Sequence, residues 1–229
     1  MIKAVIFDIG ETLVTYSKPL NWVDSYIPAL YHAASGCKLQ LTDHDYYKAA
    51  EILKKYNTRL HPRQKEVSSY TIFKEILSIW HIDSNYLYSL KDTFYQYFCK
   101  EASVFDDVKI TLEYLRQQGI QTATLSDVPY GMDNKFVLSD IAEIINYIDF
   151  PLTSNDVGFR KPGMKGLNML RKKMGISEQE MLFVGDEKKD VECANAVSVL
   201  LDRRRISPDY GQKYTIDSLL KICEIIKDV

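Results

Sequence analysis

An α/β fold, with a parallel sheet core interrupted by an all-helical insertion, is what this chain predicts on three observations. The apolar run Ala4-Val5-Ile6-Phe7 is short and continuous, as in a strand buried on both faces. From about Trp22 to Phe98 apolar residues recur at helical spacing and no convincing strand interrupts them. Beyond that block, strand-like and helix-like segments alternate, the pattern of a parallel sheet covered on both faces. The first strand can be buried only inside that later sheet. The core therefore spans residues 1–15 and 101–229, and residues 16–100 form the insertion.

Within the insertion, four helices are expected. One runs from Trp22 into Tyr31. A second carries the stripe Tyr46, Ala49, Ala50 and Leu53, opened by Thr42 with Asp45 three residues on, a capping-box pattern. Ile72, Ile76 and Ile79 mark a third, and Leu87, Leu90, Phe94 and Phe98 a fourth. Short polar joints between them read as a small bundle. Its aromatic residues, including Tyr31, Tyr46, Tyr56, Phe94 and Tyr97, are expected to pack between helices. The joint Asn57 to Glu66 holds Arg59, His61, Arg63 and Lys65, which read either as a solvated loop or as cationic contacts for an anionic substrate.

In the remainder, Val108, Thr111, Leu112 and Leu115 lie on one helical face that Gly119 ends. Ile120 to Leu125 and Tyr147 to Leu152 read as strands, and Met164 to Met174 as a helix ending at Gly175. Met181 to Val184 and Val197 to Leu201 are further buried strands with a short helix between them. Ile216, Leu219, Leu220 and Cys223 make a closing amphipathic helix, and Arg203-Arg204-Arg205 reads as a solvated turn.

Composition narrows the function. A 229-residue chain with 46% hydrophobic residues can bury a substantial core. A net charge of −2 offers no basic field for nucleic acid or an anionic membrane. Cys37, Cys99, Cys193 and Cys223 are scattered without a CxxC pair, and His32, His44 and His81 lack ligand spacing, so no zinc site or disulfide framework is expected. The chain enters its first strand without the basic and apolar regions of a signal peptide, and no run approaches membrane-spanning length. A cytoplasmic protein with reduced thiols is expected.

Chemistry-bearing residues recur just after strand ends: Asp8, Ser126, Lys161, then Asp186 with Asp190 four residues on. In a doubly wound sheet these loops converge at one carboxyl edge. Carboxylates with oxygen-rich neighbours suit Mg²⁺, a hydroxyl and an ammonium suit a phosphate, and an Asp can act as a nucleophile.

The ordered motifs Phe7-Asp8-Ile9-Gly10-Glu11-Thr12-Leu13, Ser126, Gly158-Phe159-Arg160-Lys161-Pro162 and Val184-Gly185-Asp186 through Asp190 resemble the haloacid dehalogenase-like hydrolase superfamily over nearly the whole chain. The resemblance implies a Rossmann-like core with a helical cap, and a Mg²⁺-dependent phosphatase of a small phosphorylated metabolite. It implies Asp8 as nucleophile, Thr12 as its orienting partner, and Ser126, Asp127 and Lys161 around the phosphate, with Arg59 and Arg63 as cap contacts. It also implies Asp8, the carbonyl of Gly10, Asp186 and Asp190 around the metal.

Three positions depart from the pattern. Gly10 stands where the family's phosphatases carry a second Asp, an acid/base whose help is typically worth ~10²–10⁴-fold. Asp127 replaces a common Asn, and its charge would repel a phosphate unless turned away. Glu11 is a neighbour on a turn and points elsewhere. Gly10 keeps two alternatives open: a 2-haloacid dehalogenase, whose relatives lose the metal acids retained here as Asp186 and Asp190, and a catalytically weak binding module. A phosphonatase-like lysine from the cap would have to be Lys54, Lys55 or Lys65.

Overall fold

The computed structural model describes residues 1–17, 22–99, 102–194 and 197–228. Strand β1 (Ala4–Phe7) is fully buried. Its alternate residues serve two cores: Val5 and Phe7 pack into a large cluster on one face, and Ala4 and Ile6 into a smaller one on the other. A tight turn then leads into β2 (Val14–Tyr16).

The insertion follows as α1 (Trp22–Gly36), α2 (Asp43–Tyr56), α3 (Ser69–Ile79) and α4 (Leu87–Gln96), matching the four expected helices. The capping box forms as read: Thr42 N donates to Asp45 at 2.9 Å, and Asp45 N donates to the Thr42 hydroxyl at 3.4 Å. Tyr26, Leu30, Ile72, Phe73 and Phe94 are fully buried, and their cluster is continuous with the Val5/Phe7 face of the sheet. Each large apolar side chain so buried contributes about 1.5–3 kcal/mol. The expected aromatic packing is realised by Tyr31 stacked on Tyr46 at 3.8 Å and by the Phe73, Phe94 and Tyr95 rings.

The chain returns through β3 (Ala102–Val104), which pairs antiparallel with β2 as a two-stranded ribbon. Then come α5 (Asp106–Gln117), β4 (Gln121–Ser126), the short α6 (Asn134–Val137), β5 (Phe150–Thr153), α7 (Ser154–Val157), α8 (Lys165–Met174), β6 (Met181–Gly185), α9 (Lys188–Ala194), β7 (Ser198–Leu201), β8 (Tyr214–Ile216) and α10 (Ile222–Asp228). Among the described residues the main sheet has six strands in the order β5-β4-β1-β6-β7-β8, all parallel. Putting β1 at the centre places Asp8 in the middle of the carboxyl edge.

Four sequence expectations change. The ribbon β2–β3 and the edge strand β8 were not anticipated, and Ile216, assigned to the closing helix, ends β8. Short strands with partly exposed residues carry too little alternation to read. The strand expected from Tyr147 starts at Phe150, because Ile145–Tyr147 close a 3₁₀ turn. Of the expected solvated turn, Arg204 and Arg205 are exposed, but Arg203 is half-buried: its guanidinium makes two 2.9 Å bonds to Asp107, donates to the Thr12 carbonyl and lies 3.8 Å over the Phe105 ring.

Insertion and core also meet through backbone. Glu66 N donates to Gly158 O at 3.0 Å, and Arg160 N donates to Gln64 O at 2.8 Å. Gly131, at φ +63°, lies so close to the insertion that a Cβ would overlap the Val67 carbonyl.

Candidate active site

Asp8 follows β1 and is held by its backbone N–H on Val184 O at 2.9 Å. Lys161 comes from the loop after α7, through a cis Lys161–Pro162 peptide. Its buried ammonium lies 2.9 Å from Asp8 and 2.6 Å from Asp190. Asp190 sits on α9, where it also accepts from Glu187 N at 2.9 Å, so it caps that turn as well as facing the site. Gly185 is required beneath it, since a Cβ there would overlap the Asp190 carboxyl. Asp186 completes the group: carboxylate oxygens of Asp8, Asp186 and Asp190 all lie within 4.8 Å of one another.

The electrostatics follow from this crowding. Burial works to raise the Asp8 carboxyl, but Lys161 and then Lys189 outweigh it and hold Asp8 below its ordinary value. Burial works to lower the Lys161 ammonium, and Asp190, Asp8 and Asp127 outweigh it, so Lys161 stays charged. Burial, then the charges of Asp8 and Asp190, push Asp186 up to about 8. Burial pushes Asp190 up to about 6 against the pull of Lys161. One lysine does not balance three clustered carboxylates. The donor set is oxygen-only and short of positive charge, which suits a hard divalent cation.

A cavity of about 1050 Å³ opens over these groups. Its walls include Ser126, Asp127 and Lys161 from the core and Tyr56, Arg59 and Arg63 from the insertion. Ser126 is buried at the end of β4. Arg59 is exposed and sits 3.5 Å from Glu187, while Arg63 is mostly buried and donates to the Tyr56 carbonyl at 2.6 Å. The cationic loop is thus partly structural and partly at the cavity wall.

Two of the expected site residues have partners or surroundings that the sequence did not specify. Asp127 does not confront a phosphate with a bare charge. Its Oδ1 accepts from Lys161 N at 3.0 Å, and its Oδ2 lies 3.6 Å from Lys189 and 3.8 Å from Arg160. The buried Thr12 Oγ1 makes no hydrogen bond among the described residues, and the cation against Asp8 is Lys161. Lys54 and Lys55 pair with Glu51 and Glu75 on the insertion's surface, and Lys65 is exposed, so none of them is a buried amine facing the site.

Sequence reasoning missed several residues. Lys189 lines the cavity and pairs with Glu187 at 2.6 Å. Buried Glu66 accepts from Ser154 at 2.5 Å and pairs with buried Arg160, tying the insertion's loop to the motif that carries Lys161. Tyr16, on the ribbon, donates to Asp140 at 3.2 Å, and both line the cavity. Burial pushes Asp140 up to about 6. The Glu66 and Tyr16 pairs join positions ~90–125 apart in the chain, beyond the reach of local periodicity.

A doubly wound sheet with an aspartate, a lysine and two further acids at its central carboxyl edge defines a class of hydrolase built around a buried carboxylate. Residues 2–197 match the profile of the haloacid dehalogenase-like hydrolases, and the chain belongs to that family. It is 31% identical over 115 residues to a phosphoglycolate phosphatase of Pectobacterium atrosepticum, covering 49% of this chain and 46% of that protein. With the phosphoglycolate phosphatase of Escherichia coli the identity is 27% over 146 residues, covering 62% and 56%. These matches span about half the length of the curated relatives. Among solved structures, a HAD phosphatase from Thermococcus onnurineus is similar over 98% of both chains, with a TM-score of 0.65 and 21% identity. A 2-haloacid dehalogenase from Pseudomonas syringae is similar over 100% of this chain and 99% of that one, with a TM-score of 0.70 and 16% identity. Likeness at such identity reports the fold alone.

Proposed function

We propose that the protein is a Mg²⁺-dependent phosphatase of a small phosphorylated metabolite, working through a phosphorylated Asp8. The observation that carries this reading is the Lys161 ammonium bridging Asp8 and Asp190, with Asp186 in the same cluster. Asp8 is kept ionised and therefore nucleophilic. An Asp8 oxygen bonds to phosphorus as the ester oxygen departs, and water then cleaves the acyl phosphate. Lys161 offsets charge on Asp8 and on the phosphoryl oxygens, in a water-poor site where such placement supplies most of the rate. Ser126 and Lys189, both on the cavity wall, would bind phosphoryl oxygens. Asp8, Asp186 and Asp190, with the Gly10 carbonyl, would hold Mg²⁺, which when bound supplies further charge for the phosphoryl group.

The curated relatives named as phosphoglycolate phosphatases support a small phosphate monoester as substrate. The four free thiols fit a reducing cytoplasm. The fold also matches a dehalogenase, but the retained Asp186 and Asp190 favour phosphoryl transfer.

The test is phosphate release from 4-nitrophenyl phosphate with Mg²⁺ and with chelator. Release that requires metal and is abolished by Asp8→Asn is expected. Activity on 2-haloacids that chelator leaves intact would replace this reading with the dehalogenase. No release from a folded sample would leave a binding module.

A further inference from the structure

Breaking a phosphate ester expels an oxyanion, and a positioned proton donor for that oxygen is typically worth ~10²–10⁴-fold in rate. On the phosphatase reading above, this chain needs such a donor near Asp8, and Gly10 has no side chain to offer. A Cβ placed on Gly10 would lie 3.7 Å from Tyr16 Cε2 and 3.9 Å from the Tyr16 hydroxyl. The Tyr16 hydroxyl therefore stands within reach of a side chain carried at position 10. The hydroxyl is not an isolated group. It bonds to Asp140 Oδ2 at 3.2 Å, and the cavity over Asp8 is lined by Tyr16 and Asp140 alike.

We propose that Tyr16, backed by Asp140, donates the proton to the leaving-group oxygen and accepts the proton of the hydrolytic water. As the bond from Asp8 to phosphorus forms and the ester P–O bond breaks, the departing oxygen takes the Tyr16 proton. Tyr16 takes the proton carried by Asp140. Water then attacks the phosphorus of the aspartyl phosphate, freeing Asp8 and inorganic phosphate. Its proton passes to Tyr16 and on to Asp140, so the pair ends as it began.

The surroundings suit these roles. Burial and the charges of Asp140, Asp8 and Glu11 all keep the Tyr16 phenol neutral, so it passes a proton on only in concert with Asp140. Asp8 and Glu11, from the loop after β1, are the other charges facing Tyr16, and Tyr16 is the titratable neighbour of Asp140. Burial raises Asp140 to about 6, where it can lend and recover a proton near neutrality.

The experiment measures turnover of aryl phosphates with good and poor leaving groups, 2,4-dinitrophenyl and phenyl phosphate, by the wild type, Tyr16→Phe and Asp140→Asn. Tyr16→Phe keeps the ring that packs beside Gly10, and Asp140→Asn keeps the shape of its side chain. Loss of a proton donor hurts the poor leaving group most, so the phenyl-to-dinitrophenyl rate ratio is expected to fall by ~10-fold or more in both variants. The alkaline limb of the pH–rate profile near 6, where Asp140 loses the proton it lends, is expected to vanish in Asp140→Asn. An unchanged ratio, with both esters slowed equally or neither slowed, overturns the proposal. A wild type that cleaves neither ester overturns the phosphatase reading itself, and this proposal with it.

Discussion

Neutralising one of the clustered acids is expected to stabilise the metal-free protein while removing its response to metal. Burial, Asp8, Asp190 and Glu187 raise Asp186 from 3.8 to about 8. A group raised on folding contributes stability that is complete below its unfolded value and is lost as pH climbs to its folded value, here between about 4 and about 8. Each pH unit in that window costs ~1.36 kcal/mol, so by pH 7 the loss is on the order of 4 kcal/mol. Asp186→Asn carries no such ionisation. For a chain of this size 1 kcal/mol moves Tm by ~2–4 °C, so the variant should melt roughly 8–16 °C above the wild type at pH 7 in chelator. The gap should shrink as the pH is lowered toward 4.5. Adding Mg²⁺ should raise the wild-type Tm and leave the variant nearly unmoved. Thermal unfolding across this pH range, with and without Mg²⁺, decides the matter. A gap that does not grow with pH, or a variant that melts below the wild type at pH 7 in chelator, would refute the reasoning.

Three further outcomes are expected. Glu66→Gln leaves the buried Arg160 guanidinium with only the more distant Asp127 carboxylate at 3.8 Å and should cost about 3 kcal/mol, read by urea unfolding. Gly185→Ala drives a Cβ into the Asp190 carboxyl, so Lys161 and Asp190 must move; the change should abolish both turnover and the Tm response to Mg²⁺. The Cβ of Gly10→Asp meets only an ordinary van der Waals contact with Tyr16, and its carboxylate can extend into the cavity, so the fold should survive. It should speed hydrolysis of poor-leaving-group esters, and an unchanged rate would show that proton supply does not limit this enzyme.

Much of the architecture was legible before any coordinates. Val5 and Phe7 alternate with Ala4 and Ile6 in a strand buried on both faces, and such a run has one place to go in a chain that later alternates strand and helix. The helical insertion was legible because its apolar stripes keep a 3.6-residue period, and the Thr42–Asp45 box marks a start by local hydrogen bonding. The edge strand Tyr214–Ile216 and the ribbon were hidden because three residues cannot display a period. Arg203 was misread because a run of three arginines looks solvated, whereas its partner Asp107 lies 96 positions away.

The linear order of residues was enough to determine which groups gather at the carboxyl edge. Asp8 and Asp186 directly follow strands, Ser126 ends one and Lys161 lies in the loop beyond β5 and α7, and parallel strands point their ends the same way. Tertiary structure alone decided who partners whom. Lys161 pairs with Asp8, Asp127 is turned onto Lys161 N and Lys189, Glu66 locks Arg160, and Tyr16, bonded to Asp140, packs beside Gly10. Periodicity and strand ends are local properties that the chain carries at every point. Side-chain partnerships across a hundred residues depend on which faces close packing brings within a few ångströms, and no local pattern records that.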